Sequence, residues 1–276
     1  MTVVIAQGGS RTAVIAPGRS RSIDAMAIPE AAVGRPVRDP RLRVAMIAAE
    51  CEPWAKAGGL ADVIDGLARG LGRMPGHAGV LETPLDVFLP RYRSVPVPAD
   101  AEAEPSLEIE NPDLDHGGRL EVRIINVRAN GYRLRLIDFP PAFDRDRIYD
   151  HRDDAWRFAV LARGSLAALR RDGHPLDVLH VHDWHTGPVL LERARAEASG
   201  DPFLARTAVL ATLHNLSYHG WTPADQLHQL GLQASDRLAG PNPDGTDLLR
   251  IVVEGADLVN TVSPGYAREA LTPEYG

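Results

Sequence analysis

Ala49-Glu50-Cys51-Glu52-Pro53-Trp54-Ala55-Lys56-Ala57-Gly58-Gly59-Leu60-Ala61-Asp62-Val63 joins two elements of different period. Upstream, Val44 to Ala49 is a short apolar run, the pattern of a strand buried on both faces. Downstream, Leu60, Val63, Ile64, Leu67 and Leu71 fall at helical spacing and give the helix one apolar face. Gly58-Gly59 lies where that helix begins. Unpaired backbone N–H groups and the positive end of the helix dipole meet there, and glycine lets an anion come close. Lys56, just ahead, is the only lysine in the chain; every other fixed cation is arginine. An ammonium is a compact point charge on a thin stem, whereas a guanidinium is a wide planar fork. A task that a guanidinium does not fit is one explanation for the lone lysine, and chance is the other. Strand, lysine, glycine pair and helix start together form a candidate phosphate cradle, although the stretch matches neither G-x-G-x-x-G nor G-x-x-x-x-G-K-[ST].

The same alternation continues along the chain. Leu85 to Leu89 reads as a strand, and Pro96 to Pro112, rich in proline and acid, as a surface loop. Glu121 to Asp138 has the form of a hairpin: Asn130-Gly131 supplies the turn, and Tyr132, Leu134 and Leu136 alternate with Arg133 and Arg135. Ala155 to Arg171 predicts an amphipathic helix with Phe158, Leu161, Ala162, Ser165 and Leu169 on one side. Val178–Val181, Ala208–Leu213 and Leu258–Val262 read as further strands, and Thr186 to Ala198 as a helix. Ser263-Pro264 opens a last helix, serine as N-cap and proline at its first position. Strands alternating with helices predict an α/β fold with a doubly wound, mainly parallel, Rossmann-like sheet and a β-hairpin insertion. Ligands of such sheets bind outside the carboxyl ends of the strands. Lys56, then His182, Asp183 and His185, then His214 and Asn215 all follow strand ends.

Residues 1–42 differ from the rest. Val3 to Arg11 (VVIAQGGSR) and Ala13 to Arg21 (AVIAPGRSR) form an imperfect echo, glycine, proline and arginine are frequent, and no long periodic element appears. The expectation is a poorly ordered extension. It lacks the unbroken apolar core of a secretory signal.

The 276 residues suffice for one large domain or two small ones. A net charge of −7 gives no support to nucleic-acid or membrane-surface binding, and no apolar run is long enough to span a bilayer. The single cysteine, Cys51, precludes an internal disulfide framework; it reads as a small buried residue at a strand end, with a nucleophile as the alternative.

His180-Val181-His182-Asp183-Trp184-His185 has three readings. Histidines two apart share a strand face and suggest a metal hydrolase, but Trp184 stands where H-x-H-x-D-H needs its aspartate, and no clustered acids or cysteines complete a coordination sphere. The second reading makes His180 and His182 strand-end residues satisfied by backbone. The third is a polar rim that binds sugar hydroxyls, with Trp184 as an apolar wall. Thr212-Leu213-His214-Asn215-Leu216-Ser217-Tyr218-His219-Gly220 repeats the form: strand, histidine and asparagine, then a glycine-containing loop.

Together these segments resemble the bacterial glycogen synthase and plant starch synthase family. That family carries K-x-G-G-L-[AG]-D-V, here Lys56 to Val63; H-x-H-D-W-H, here His180 to His185; T-x-H-N-[LI]-[AS]-Y-x-G, here Thr212 to Gly220; and A-D-x-x-x-T-V-S-P-x-Y-A-x-E, here Ala256 to Glu269. Order and spacing hold from about Arg43 to Gly276. The resemblance implies that residues 43–276 are the N-terminal, acceptor-side half of a GT-B glycosyltransferase, and that the nucleotide-binding second domain would follow Gly276. It implies transfer of glucose from ADP-glucose or UDP-glucose to the non-reducing end of an α-1,4-glucan with retention, no metal or other cofactor, and a cytoplasmic location. It assigns Asp183 and His214 to catalysis, and Lys56, Gly58, Gly59, Asn215, His182 and Tyr218 to substrate binding. Two positions depart from the family pattern. His219 stands where glutamine is usual, and Arg250-Ile251-Val252 where lysine, a small residue and glycine are common. Half a cleft implies little or no transfer by this chain alone, with a separate chain carrying the second domain as a possible partner. The competing expectation is a non-catalytic module that binds α-glucan or a protein.

Overall fold

A computed structural model of the chain describes residues 42–73 and 85–273, together with the backbone of 3–5 and 13–15. Val3–Ile5 (β1) and Ala13–Ile15 (β2) are short strands that the sequence reading did not assign. They are the two apolar triplets of the echo, paired antiparallel with Val4 opposite Val14. Apart from Leu42, the rest of the expected poorly ordered extension lies outside the described residues.

Val44–Ile47 (β3) is buried apart from its first residue, and Gly59–Gly72 (α1) follows it. Leu85–Pro90 (β4) is buried at every position. Glu102–Ala103 (β5) and Leu107–Glu110 (β6) lie within the segment expected to be loop. Both pair with Arg119–Arg128 (β7), whose ten residues outreach its other neighbour and leave an edge to cover. Tyr132–Asp138 (β8) completes the hairpin, and Gly131 at its turn takes a φ of 98°. Pro140–Phe143 (α2) and Asp154–Arg171 (α3) lead to Val178–His182 (β9) and Gly187–Ser199 (α4). Pro202–Ala205 (α5), Ala208–Leu213 (β10), Trp221–Pro223 (β11) and Gly245–Asp247 (β12) come next. Leu248–Gly255 (α6), Leu258–Thr261 (β13) and Pro264–Glu269 (α7) end the described chain. Ser263 caps α7 as expected, its hydroxyl accepting from the Tyr266 N–H at 3.1 Å.

The sheet runs β2-β1-β13-β10-β9-β3-β4-β8-β7-β5, and every pairing from β1 to β8 is parallel. From β3 the chain winds outward through β4 to β8, then returns to β9 on the other side of β3. The winding reverses between β3 and β9, and crevices open at such reversals. The hairpin therefore does more than decorate the fold, because β8 is itself a strand of the parallel sheet. This explains why Arg135, expected on a polar face, is fully buried. It is neutralised by Asp172 at 2.7 Å and Glu104 at 2.9 Å.

Candidate active site

The ends of β3 and β9 flank the reversal, and the end of β10 lies beside β9. Their loops enclose a cleft of about 570 Å3 whose walls include Glu50, Gly58, Gly59, Asp183, His214 and Tyr218. Glu50, three residues beyond β3, is 3% exposed. One carboxylate oxygen accepts from the N–H groups of Ala57 (2.6 Å) and Gly58 (2.7 Å), and the other accepts from the Tyr149 hydroxyl (2.8 Å). Part of the cradle expected for phosphate is thus filled by the protein's own anion. The N–H groups of Gly59 and Leu60, in the first turn of α1, have no acceptor among the described residues.

Asp183 directly follows β9 with φ 55° and ψ −176°, a conformation that side chains rarely adopt and that costs on the order of 1–3 kcal/mol. Neighbouring groups hold it there. Its N–H donates to the Thr212 carbonyl at 3.1 Å, and its carboxylate accepts from the N–H groups of His214 (2.7 Å) and Asn215 (3.4 Å). The side chain thereby ties β9 to β10. Burial pushes its carboxyl up to about 6, the two backbone N–H groups oppose that, and the Glu50 charge adds to it.

Four imidazoles back this acid. His180 and His182 stack with ring centres 4.1 Å apart, His180 shares a hydrogen bond with the Thr212 hydroxyl (2.7 Å), and His182 shares one with His214 (3.2 Å). His185 accepts from the Ala49 N–H at 3.0 Å, which fixes its proton on Nδ1 and clamps the end of β3 to the end of β9. Burial pushes His180 and His214 down to about 4, His185 down to about 3 and His182 well below its ordinary value. All four are neutral at pH 7.

Trp184 is the apolar wall that the sequence allowed for. Its ring meets Tyr149, Phe158 and His185 at centroid distances of 5.3 to 6.0 Å. Gly220, at φ 63°, comes so close that a Cβ there would overlap the indole. Gly220→Ala is therefore expected to displace Trp184 and cost about 1–3 kcal/mol. A lower melting temperature with altered tryptophan emission would show this; an unchanged protein would contradict it. Beyond Trp184 lies a second hollow of about 220 Å3, which shares Tyr218 with the cleft and adds Trp221 and Gln226.

Six of the eight residues expected at the site line the cleft: Asp183, His214, Asn215, Gly58, Gly59 and Tyr218. His182 does not. It is fully buried behind His214, because the strand face it shares with His180 points into the protein. Lys56 does not line the cleft either. Its side chain is 46% exposed and its ammonium sits 2.7 Å from Asp62 and 3.4 Å from Glu52, the Asp62 hydrogen bond chiefly raising its pKa. Exposed pairs of this kind contribute little to stability and exchange partners readily. Of the two departures from the family pattern, His219 pairs with Asp247 at 2.6 Å, and Asp247 also caps α6 through the Arg250 N–H at 3.0 Å. Neither lines the cleft.

The metal reading of His180, His182 and His185 fails on geometry: the three rings hydrogen-bond separately to Thr212, His214 and the Ala49 N–H, and they do not form a group with metal-ligand spacing among the described residues. Among the described residues the one group with metal-like spacing is Asp113, Asp115 and His228, outside the cleft. Excess chelator is expected to leave the melting temperature unchanged; a fall of several degrees would reopen the metal reading. The nucleophile reading of Cys51 fails as well, because burial raises its thiol to about 12. Glu50 and Tyr149 were missed. An acid directly after a buried strand was the available signal, since a buried carboxylate must be paired.

A doubly wound sheet with a buried acid, neutral imidazoles and a helix start at its winding reversal defines an α/β domain with a polar cleft at its strand ends. The model of the starch synthase catalytic domain family matches residues 43–276, and the chain belongs to that family. Glycogen synthase of Desulforudis audaxviator is 34% identical over 246 residues, spanning 86% of this chain and 48% of that protein. Glycogen synthase of Bacillus subtilis is 32% identical over 241 residues, spanning 85% and 47%. The catalytic domain of starch synthase IV from Arabidopsis thaliana, solved with ADP and acarbose bound, superposes with a TM-score of 0.73 at 30% identity. That match covers 85% of this chain and 48% of the plant one. The chain spans about half the length of the curated relatives it matches.

Proposed function

We propose that residues 43–276 are the N-terminal, acceptor-side domain of a retaining glucosyltransferase of the glycogen synthase type, acting in the cytoplasm. Glucose would pass from ADP-glucose, or UDP-glucose, to the non-reducing end of an α-1,4-glucan. The observation that carries the reading is the convergence of Asp183, His214 and the α1 N-terminus on one cleft, in a chain of this family. The bond from the sugar C1 to the diphosphate breaks as the acceptor 4-hydroxyl approaches the same face. The acceptor proton goes to the departing phosphate oxygen. Charge grows on the diphosphate in that transition state, and free N–H groups with an ammonium stabilise it where it develops. Lys56 takes this role by leaving Asp62 and Glu52, an exchange that costs little at an exposed site. Neutral His214 and Asn215 hydrogen-bond the transferred sugar, and Asp183 holds both in place. No metal or other cofactor takes part.

The acceptor glucan fits the second hollow, where Tyr218 is 64% and Trp221 48% exposed. Sugar rings stack on such aromatic faces. Trp221→Ala is expected to weaken retention of the chain on glycogen affinity gels about 5- to 10-fold, on the order of 1 kcal/mol. Val63 and Val262 at the cleft mouth are also exposed and give a second domain, on this chain or a separate one, an apolar lip to cover. The chain alone is expected to transfer no measurable glucose to glycogen. Transfer at the rate of a complete relative would refute the division of labour. The second reading, a non-catalytic glucan- or protein-binding module, rests on the same exposed aromatics. It would be favoured if glycogen binds while pyrophosphate leaves Lys56 unaffected.

A further inference from the structure

Three acids of the cleft lining, Glu50, Asp150 and Asp154, are not used by the proposed reaction, and of these only Glu50 is buried. Glu50 is almost fully buried, carries no cation partner among the described residues, and directs both oxygens at named donors. Its partners are not scattered. Two are successive N–H groups of the turn between Lys56 and α1, and the third is the hydroxyl of Tyr149. Tyr149 is in turn packed on Trp184 and His185, next to Asp183. One carboxylate therefore links the loop after β3 to the wall formed after β9.

A negative charge in a cleft that receives a diphosphate works against the ligand unless it does something else. The hydrogen bonds show what that is. With Ala57 and Gly58 N–H groups taken, the turn is tied to the buried acid at two successive residues, and the donors left over are Gly59 and Leu60 N–H with the Lys56 ammonium on the same short segment. Resting on the reading above, we propose that Glu50 is a positioning residue for the donor diphosphate: it acts through the backbone of Ala57 and Gly58 to present Lys56 and the first turn of α1 as one anion-binding set. It touches no reacting atom. The opposing account makes Glu50 a competitor, an internal anion that occupies N–H groups a phosphate would otherwise use.

The lone lysine allows a direct test. Reductive methylation with 13C-formaldehyde keeps the positive charge and places one NMR reporter on Lys56; Lys56→Arg identifies its signal against that of the chain's N-terminal amine. Inorganic pyrophosphate is then titrated into the intact 276-residue protein and three variants. Glu50→Gln keeps an oxygen for the two N–H groups and is expected to hold the wild-type midpoint within about 2-fold. Glu50→Asp, one methylene short, is expected to weaken it 5- to 10-fold at unchanged melting temperature. Tyr149→Phe, which loosens only the far end of the bridge, is expected to weaken it 2- to 3-fold. A Glu50→Asp midpoint equal to wild type, or tighter, overturns the positioning role and leaves the diphosphate reading standing. A wild-type signal that pyrophosphate does not move overturns the diphosphate reading, and the role of Glu50 with it.

Discussion

Acidification from pH 7 through about 5 is expected to unfold this chain, above the range in which ordinary carboxylates titrate. Around the cleft His180, His182 and His185 are buried and His214 is half-buried, all four as neutral imidazoles. In the unfolded chain each takes its proton near 6.5; folded, His180 and His214 wait until about 4 and His185 until about 3. The unfolded state thus binds protons first, and stability that is complete above pH 6.5 is lost as the pH falls toward 4. At pH 5 each of these three removes about 2 kcal/mol, about 6 kcal/mol together, and His182 acts in the same direction. Asp183 works the other way and returns about 1 kcal/mol at pH 5. The remainder rivals the roughly 5–15 kcal/mol by which domains are stable. Circular dichroism and tryptophan emission followed against pH are expected to show one transition centred roughly between pH 4.5 and 5.5. A melting temperature unchanged between pH 7 and 5 would mean that these rings are not buried as described.

Asp183→Asn makes the folded chain more stable at pH 7. The carboxyl's folded value of about 6 lies above its ordinary 3.8. Its stabilising contribution is therefore complete below pH 3.8 and lost as the pH rises through 6, so the ionised group costs about 3 kcal/mol at pH 7. Asparagine has no charge to bury, keeps an oxygen for the N–H groups of His214 and Asn215, and is among the residues that tolerate positive φ. The variant is expected to melt about 5–10 °C higher at pH 7 and to lose that advantage by pH 4. In a complete enzyme the same substitution keeps the hydrogen bonds but removes the negative charge beside the transferred sugar, where positive charge grows at C1 in the transition state, and is expected to lower glucosyl transfer about 10²- to 10⁴-fold. Equal melting of the two proteins at pH 7 would show that Asp183 is not strained electrostatically.

Much of this was legible in the residues because burial imposes periodicity. The apolar runs at Val44, Leu85, Val178 and Ala208 became parallel strands, and the strand-end positions of Asp183 and His214 put them in one cleft. What was not legible depends on direction. Alternation says that His180 and His182 share a face but not that the face points inward, so His182 was placed with the ligand and lies behind it. The prolines around Leu107 to Glu110 hid a strand whose in–out alternation is plain once β7 offers it an edge. The glycine pair suggested an anion site, but only the fold could show that an acid eight residues before Gly58 already occupies part of it.

Cys51 lies on the loop that carries Lys56, with no solvent exposure and with its sulfur 3.4 Å from the Tyr132 hydroxyl. A thiol this inert reacts with maleimide only when the loop lifts away from the sheet. The rate of alkylation is therefore a clock for that opening, read by mass from a single thiol, and it times how long the cleft floor stays shut without any introduced label.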